Sequence, residues 1–119
     1  MPKLDPTALR DLIDLLGGDH EALEEIVDAF LEEAPERLAE LRAGAEEGDA
    51  TLVARAAHTL KANAATFGAR ELEGCSRALE ESAKRGDLED VGEAIGSVES
   101  SWQDTLPLLT RLREGTPGS

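Results

Sequence analysis

The chain contains no tyrosine, and Phe30, Phe67 and Trp102 are its only aromatic residues. Sheets draw on aromatic and β-branched side chains, so a β-sandwich or barrel is excluded as the leading expectation. A lone cysteine, Cys75, cannot close an internal disulfide and fits a reducing compartment. No stretch of about 18 apolar residues is present to span a membrane, and no charged segment followed by an apolar run stands at the start to act as a secretory signal. Basic residues are scarce as well. Twelve Lys and Arg face 26 Asp and Glu, for a formal net charge of -14. A surface so acidic repels phosphate backbones and anionic headgroups, which argues against nucleic-acid and membrane-surface roles. Two histidines, His20 and His58, lie far apart with no cysteine or carboxylate constellation between them, so no metal site is expected. What remains is a soluble, cytoplasmic chain of 119 residues, the length of one domain.

Leucine and alanine fill the apolar positions, and they recur at helical spacing. Leu9, Leu12, Ile13 and Leu16 form a first stripe, opened by Asp5 as N-cap with Pro6 behind it and stopped by Gly17-Gly18. Asp19 caps a second, carrying Leu23, Ile26, Val27, Phe30 and Leu31, which Pro35 is expected to break or kink near Ala34. A further helical stretch with Leu38 and Leu41 precedes Gly48-Asp49. Helices then run from Asp49 to Phe67 and from about Ala69 to Arg85, with Leu72, Cys75 and Leu79 on one side of the latter. Gly86-Asp87 makes a turn and a cap. The last helix carries Leu88, Val91, Ile95, Val98, Trp102, Leu106 and Leu109, with a late kink expected at Pro107. Short Gly-Asp turns between long amphipathic helices imply antiparallel neighbours. The fold expected is all-α: an up-down antiparallel four-helix bundle with short additional N-terminal helices. Residues 1–119 form a single domain, with a bundle core of about 36–112 and a flexible tail at 115–119.

One helix stands apart. With His58 at zero and about 100° per residue, Val53, Ala56, Leu60, Ala64 and Phe67 fall within about 60° of the opposite side and form a core stripe. Thr51, Ala54, Arg55, Lys61, Ala62 and Ala65 share the face of His58. A helix face turned merely to water normally carries Glu and Lys at such places. Here the small side chains leave the imidazole standing proud, open to close approach by a second protein. From Ala50 to Arg70 there is no Asp or Glu, whereas Arg55, Lys61 and Arg70 are basic. Asn63 points to the flank of the core, where a structural hydrogen bond is expected. Cys75 reads as a small core residue, and His20 as solvated. The acidic faces with Glu24, Glu25, Asp28, Glu32 and Glu33 read as solvated surface. Leu12, Ile13 and Leu16 either cover the end of the bundle or add an apolar patch beside His58, and both readings stand together.

The run Ala57-His58-Thr59-Leu60-Lys61-Ala62-Asn63-Ala64-Ala65-Thr66-Phe67-Gly68 resembles the signature of histidine phosphotransfer (HPt) domains: a histidine, an apolar residue two later, Lys three later, small residues, then an apolar residue and Gly. Phe30 to Leu38 upstream, and Cys75 to Glu80 followed by Gly86-Asp87 downstream, look like the same family. One position departs from it, because Ala62 stands where the family usually has Gly, adding a methyl group to the histidine's face.

The resemblance implies a phosphocarrier, with His58 accepting a phosphoryl group from a receiver-domain aspartate or a hybrid sensor kinase and passing it to another response-regulator aspartate. A neutral imidazole is a competent nucleophile near neutral pH. Lys61, one turn on, would offset the roughly two negative charges of the group. Mg²⁺ and the remaining groups would come from the receiver, so the chain needs no cofactor and alone catalyses nothing. Thr51, Ala54, Arg55, Ala62 and Ala65 would meet the partner. Gly68 is the hairpin point, with His58 ten residues before it and Glu80 twelve after, so the two stand nearly level. Related domains often place Gln or Glu there to orient the imidazole; Glu80 either accepts from Nδ1 or is an exposed glutamate pairing with Arg77 or Lys84. Two other functions compete: a histidine domain phosphorylated by a partner ATP-dependent kinase, as in chemotaxis kinases, and a degenerate scaffold without phosphorylation. Retention of both His58 and Lys61 speaks against the latter.

Overall fold

Asp, Pro and Gly punctuate the chain where the spacing implies, and the computed structural model, which describes residues 2–115, shows five helices. These are α1 (Pro6–Leu15), α2 (His20–Glu47), α3 (Ala50–Phe67), α4 (Arg70–Lys84) and α5 (Val91–Glu114). Three starts are capped by carboxylates: Asp5 accepts from the Thr7 N–H, Asp19 from those of Glu21 and Ala22, and Asp49 from that of Leu52. Each satisfies backbone donors that a helix leaves without partners.

Around the bundle, α2 packs on α3 and α5, and α4 packs on α3 and α5, closing a four-helix ring, while α1 lies against α3. The interior holds Val27, Leu41, Val53, Leu60, Leu72, Leu79, Ile95, Val98 and Leu109, all buried. The three aromatics gather in one layer: Phe30 stacks on Phe67 with centroids 5.6 Å apart and leans on Trp102 at 5.1 Å. So few rings suffice because they all meet at one place, between α2, α3 and α5.

The expectation of a break at Pro35 needs correction, for α2 runs as one element from His20 to Glu47, and α5 likewise runs on through Pro107. Each proline is exposed, which sets its ring, and the carbonyl one turn back that loses its donor, on the outer side. Meanwhile Val27, Phe30, Ala34 and Leu41 are buried on the inner side of α2. Burying several large side chains, at roughly 1.5–3 kcal/mol each, outweighs a proline cost of about 3 kcal/mol. The stretch before residue 36 is therefore the first half of a bundle helix and not a separate short one; α1 is the single short addition among the described residues. The last helix begins at Val91 and not at Leu88, because the Asp87 carboxylate accepts from the Glu89 N–H, 3.1 Å away, and closes a turn instead of capping a helix. Of the loose tail expected at 115–119, residues 116–119 lie outside the described residues.

The turn after α3 fixes how α1 docks. Gly68 has φ +71°, and its carbonyl accepts from the Asp5 N–H at 2.8 Å. A Cβ on Gly68 would stand 2.8 Å from the Asp5 nitrogen, so only glycine permits both the left-handed turn and this approach. Among the described residues no helix is long and apolar enough to cross a membrane.

Candidate functional site: an imidazole over a buried carboxylate

The capped helix α3 turns Val53, Ala56, Leu60, Ala64 and Phe67 into the core, all buried. On its other side Thr51, Arg55, His58 and Ala62 are exposed, and Ala54, Lys61 and Ala65 are half-buried. Ala57 is fully buried. It lies about 100° round from His58, on the side of Lys61, which is the side that α4 covers. Its small size keeps α3 and α4 close, and this closeness brings Glu80 within reach of the imidazole.

Glu80 belongs to α4, and its side chain is only 3% exposed, whereas that of His58 is 60% exposed. One carboxylate oxygen, Oε2, lies 2.8 Å from Nδ1 of His58 and 3.1 Å from the Lys84 ammonium. The other, Oε1, lies 2.6 Å from the Lys61 ammonium. Burial pushes the Glu80 carboxyl up; its bonds to Lys61, Lys84 and His58 outweigh that and bring it down to about 2. At neutral pH the group is therefore an anion and can only accept. The hydrogen in the Nδ1 contact must then sit on the ring nitrogen, and in the neutral imidazole Nε2 is left with its lone pair. Nε2 has no hydrogen-bond partner among the described residues. The arrangement offers a nucleophilic nitrogen on a prominent ring, with an anion behind it and cations beside it.

An open hollow of about 630 Å³ adjoins the ring, with Thr51, Ala54, Arg55, His58, Glu80 and Lys84 in its wall. No group of three or more His, Cys, Asp or Glu placed to hold a metal occurs among the described residues.

The model of the Hpt domain family matches residues 25–114. The chain belongs to the Hpt domain family. The Hpt chain is also similar to the crystal structure of histidine-containing phosphotransfer protein B (HptB) from Pseudomonas aeruginosa PAO1, with a TM-score of 0.86 and 29% identity over 98% of each chain. No curated protein matches it. That likeness covers 98% of the chain and so takes in α1, which precedes the family match.

Other residues of the Hpt domain fall away from this site. His20 stands at the start of α2 with Nε2 3.1 Å from Glu24. Asn63 donates to the Glu33 carboxylate at 2.6 Å, a structural bond between α3 and α2. Cys75 is half-buried against the core with its sulfur 3.8 Å from the Ser101 hydroxyl. Leu12 is buried, and α1 meets α3 near Ala65 and Thr66, about 10 Å along the helix from His58. The apolar side chain that α1 leaves most exposed is Leu15, at 83%. It lies off the Leu9-Leu12-Ile13-Leu16 stripe, and that displacement was its only signal in the sequence. Lys84 also joins the site. Sequence reading places it only as one possible pairing of an exposed Glu80, yet Glu80 is buried and holds the imidazole and both lysines at once.

Proposed function

We propose that His58 is the phosphoacceptor of this Hpt domain, receiving a phosphoryl group from a receiver-domain aspartate or hybrid kinase and handing it to another receiver. The family supports a phosphocarrier in a phosphorelay, and Hpt domains in phosphorelays interact with receivers and kinases. The observation that carries the residue assignment is the exposed imidazole whose Nδ1 is held by a buried, ionised Glu80. A fixed ring keeps Nε2 aimed outward, and phosphoryl transfer depends chiefly on in-line positioning and charge neutralisation. Nε2 attacks phosphorus as the aspartyl P–O bond breaks, the carboxylate departs, and the ring keeps its Nδ1 hydrogen toward Glu80. Lys61 offsets part of the arriving charge. Mg²⁺ and the acyl-phosphate chemistry reside in the receiver, so the chain by itself turns over nothing. The small residues Ala54, Ala62 and Ala65, with Thr51 and Arg55, form the docking face. Residues 1–119 act as one domain, in the cytoplasm where a lone unpaired cysteine is at home.

Screening against a panel of phosphorylated receivers from the same genome tests this reading. Transfer should label the chain with an acid-labile, alkali-stable phosphoryl group, and His58→Gln should abolish it. Label retained by that variant would overturn the assignment.

A further inference from the structure

Two lysines share the Glu80 carboxylate, but they stand differently. Lys61 is 25% exposed and lies on Oε1. Lys84 is 66% exposed and shares Oε2 with the imidazole, which puts its ammonium no more than about 6 Å from Nδ1. In the antiparallel hairpin about Gly68, Lys84 stands level with Ala54, on the Asp49 side of His58, whereas Lys61 stands on the Gly68 side. The two lysines thus stem from opposite sides of the ring's level along the helix axis and meet on the one carboxylate beneath it. The hollow beside the ring opens on the Lys84 side: Lys84 and Arg55 are in its wall and Lys61 is not. Arg55 has no ion-pair partner among the described residues.

We propose that Lys84 is a second charge-stabilising residue for the phosphoryl group on His58, turning from Glu80 to the phosphoryl oxygens once the group is in place. This rests on the reading of His58 as acceptor and adds the flank on which the group is held. Arg55, Lys61 and Lys84 against one carboxylate leave two positive charges in excess around the ring, opposite in sign to the roughly two negative charges of a phosphoryl group. A cation at the C-terminal end of α4 would also suit the helix dipole and pair with a glutamate one turn back. That plain role does not require it to meet the same oxygen as the imidazole, at the mouth of the hollow. Its exposed, flexible stem can swing between the two anions at little cost. No bond of the transfer itself involves Lys84: Nε2 gains phosphorus, the donor loses it, and the lysine keeps its proton.

The test needs no partner. Potassium phosphoramidate is used to phosphorylate the whole chain, and the ³¹P resonance is followed against pH in the wild type, Lys84→Ala, Lys84→Arg and the control Arg77→Ala. A neighbouring cation favours the doubly ionised phosphoryl group. The midpoint should therefore rise by about half a unit in Lys84→Ala. It should stay near the wild-type value in Lys84→Arg and in Arg77→Ala, which alters a more distant cation of the same helix. Circular dichroism on each variant reports the fold, which an exposed side chain should leave intact. A wild-type chain that takes no label at His58 overturns the acceptor reading and this inference with it. A labelled chain whose midpoint is the same in Lys84→Ala overturns the role of Lys84 alone.

Discussion

Glu80 meets three partners with two oxygens, and each bond does separate work. The bond to Nδ1 fixes the ring, and the bonds to Lys61 and Lys84 keep the carboxylate ionised although it is buried. In Glu80→Gln the amide oxygen can still accept from Nδ1, so transfer should persist at a reduced rate. Glu80→Ala leaves the ring without an anchor and should lose about tenfold or more, as orienting partners of functional imidazoles generally do. Stopped-flow transfer from a phosphorylated receiver checks the pair; equal rates in Gln and Ala variants would remove the orienting role. Lys61→Ala deletes one charge beside the phosphoryl group. An effect of about 1 kcal/mol, roughly tenfold at most in the transfer equilibrium, is expected after solvent screening. An unchanged equilibrium at low ionic strength would leave Lys61 a structural partner of Glu80.

The helix scale is where the sequence was most legible. The 3.6-residue period placed five side chains of α3 in the core and the imidazole opposite, and the hairpin count about Gly68 set Glu80 level with His58. Both depend on local geometry that residue spacing encodes. The continuity of α2 across Pro35 was not legible, because it depends on an inner face that only the assembled bundle buries. The same holds for the half-burial of Ala65 beside α1. Ala62, exposed and about 40° round from His58, is thus the cleaner place to block docking. Ala62→Glu should leave the melting temperature nearly unchanged and stop transfer, by bulk and by adding a carboxylate beside the phosphoryl group. Ala64→Glu, two residues on, should unfold the bundle by burying an unpaired charge at a fully buried position. Thermal melts and transfer assays on both decide it: a stable Ala64→Glu would show the helix rotation to be wrong, and an active Ala62→Glu would move the docking face elsewhere. Gly68→Ala belongs to the same scale. It should loosen α1 by forcing Asp5 away and straining a left-handed turn, at a cost of about 1 kcal/mol or more. Faster amide exchange confined to α1 and the α3–α4 turn is the expected signature; uniform protection would contradict it.

Across the whole molecule the site and the fold share a titration. Glu80 falls from 4.5 to about 2 on folding, so its ionised form favours the folded state. That contribution, at most about 3 kcal/mol, is complete above pH 4.5 and is lost as pH falls from there through about 2. The stability advantage of the wild type over Glu80→Gln should therefore shrink across that acid window, as urea melts at successive pH values will show. A constant difference would mean that folding leaves the proton affinity of the Glu80 carboxyl unchanged. The bundle thus holds a charged hub beneath an exposed ring, and the central claim is that this hub directs reaction to the outer nitrogen. With the imidazoles labelled in ¹⁵N and the chain phosphorylated by a receiver from the same genome, the nitrogen coupled to ³¹P identifies the site of attachment. Coupling to Nε2 of His58 is the result predicted. Coupling to Nδ1 of His58, or to either nitrogen of His20, would contradict it.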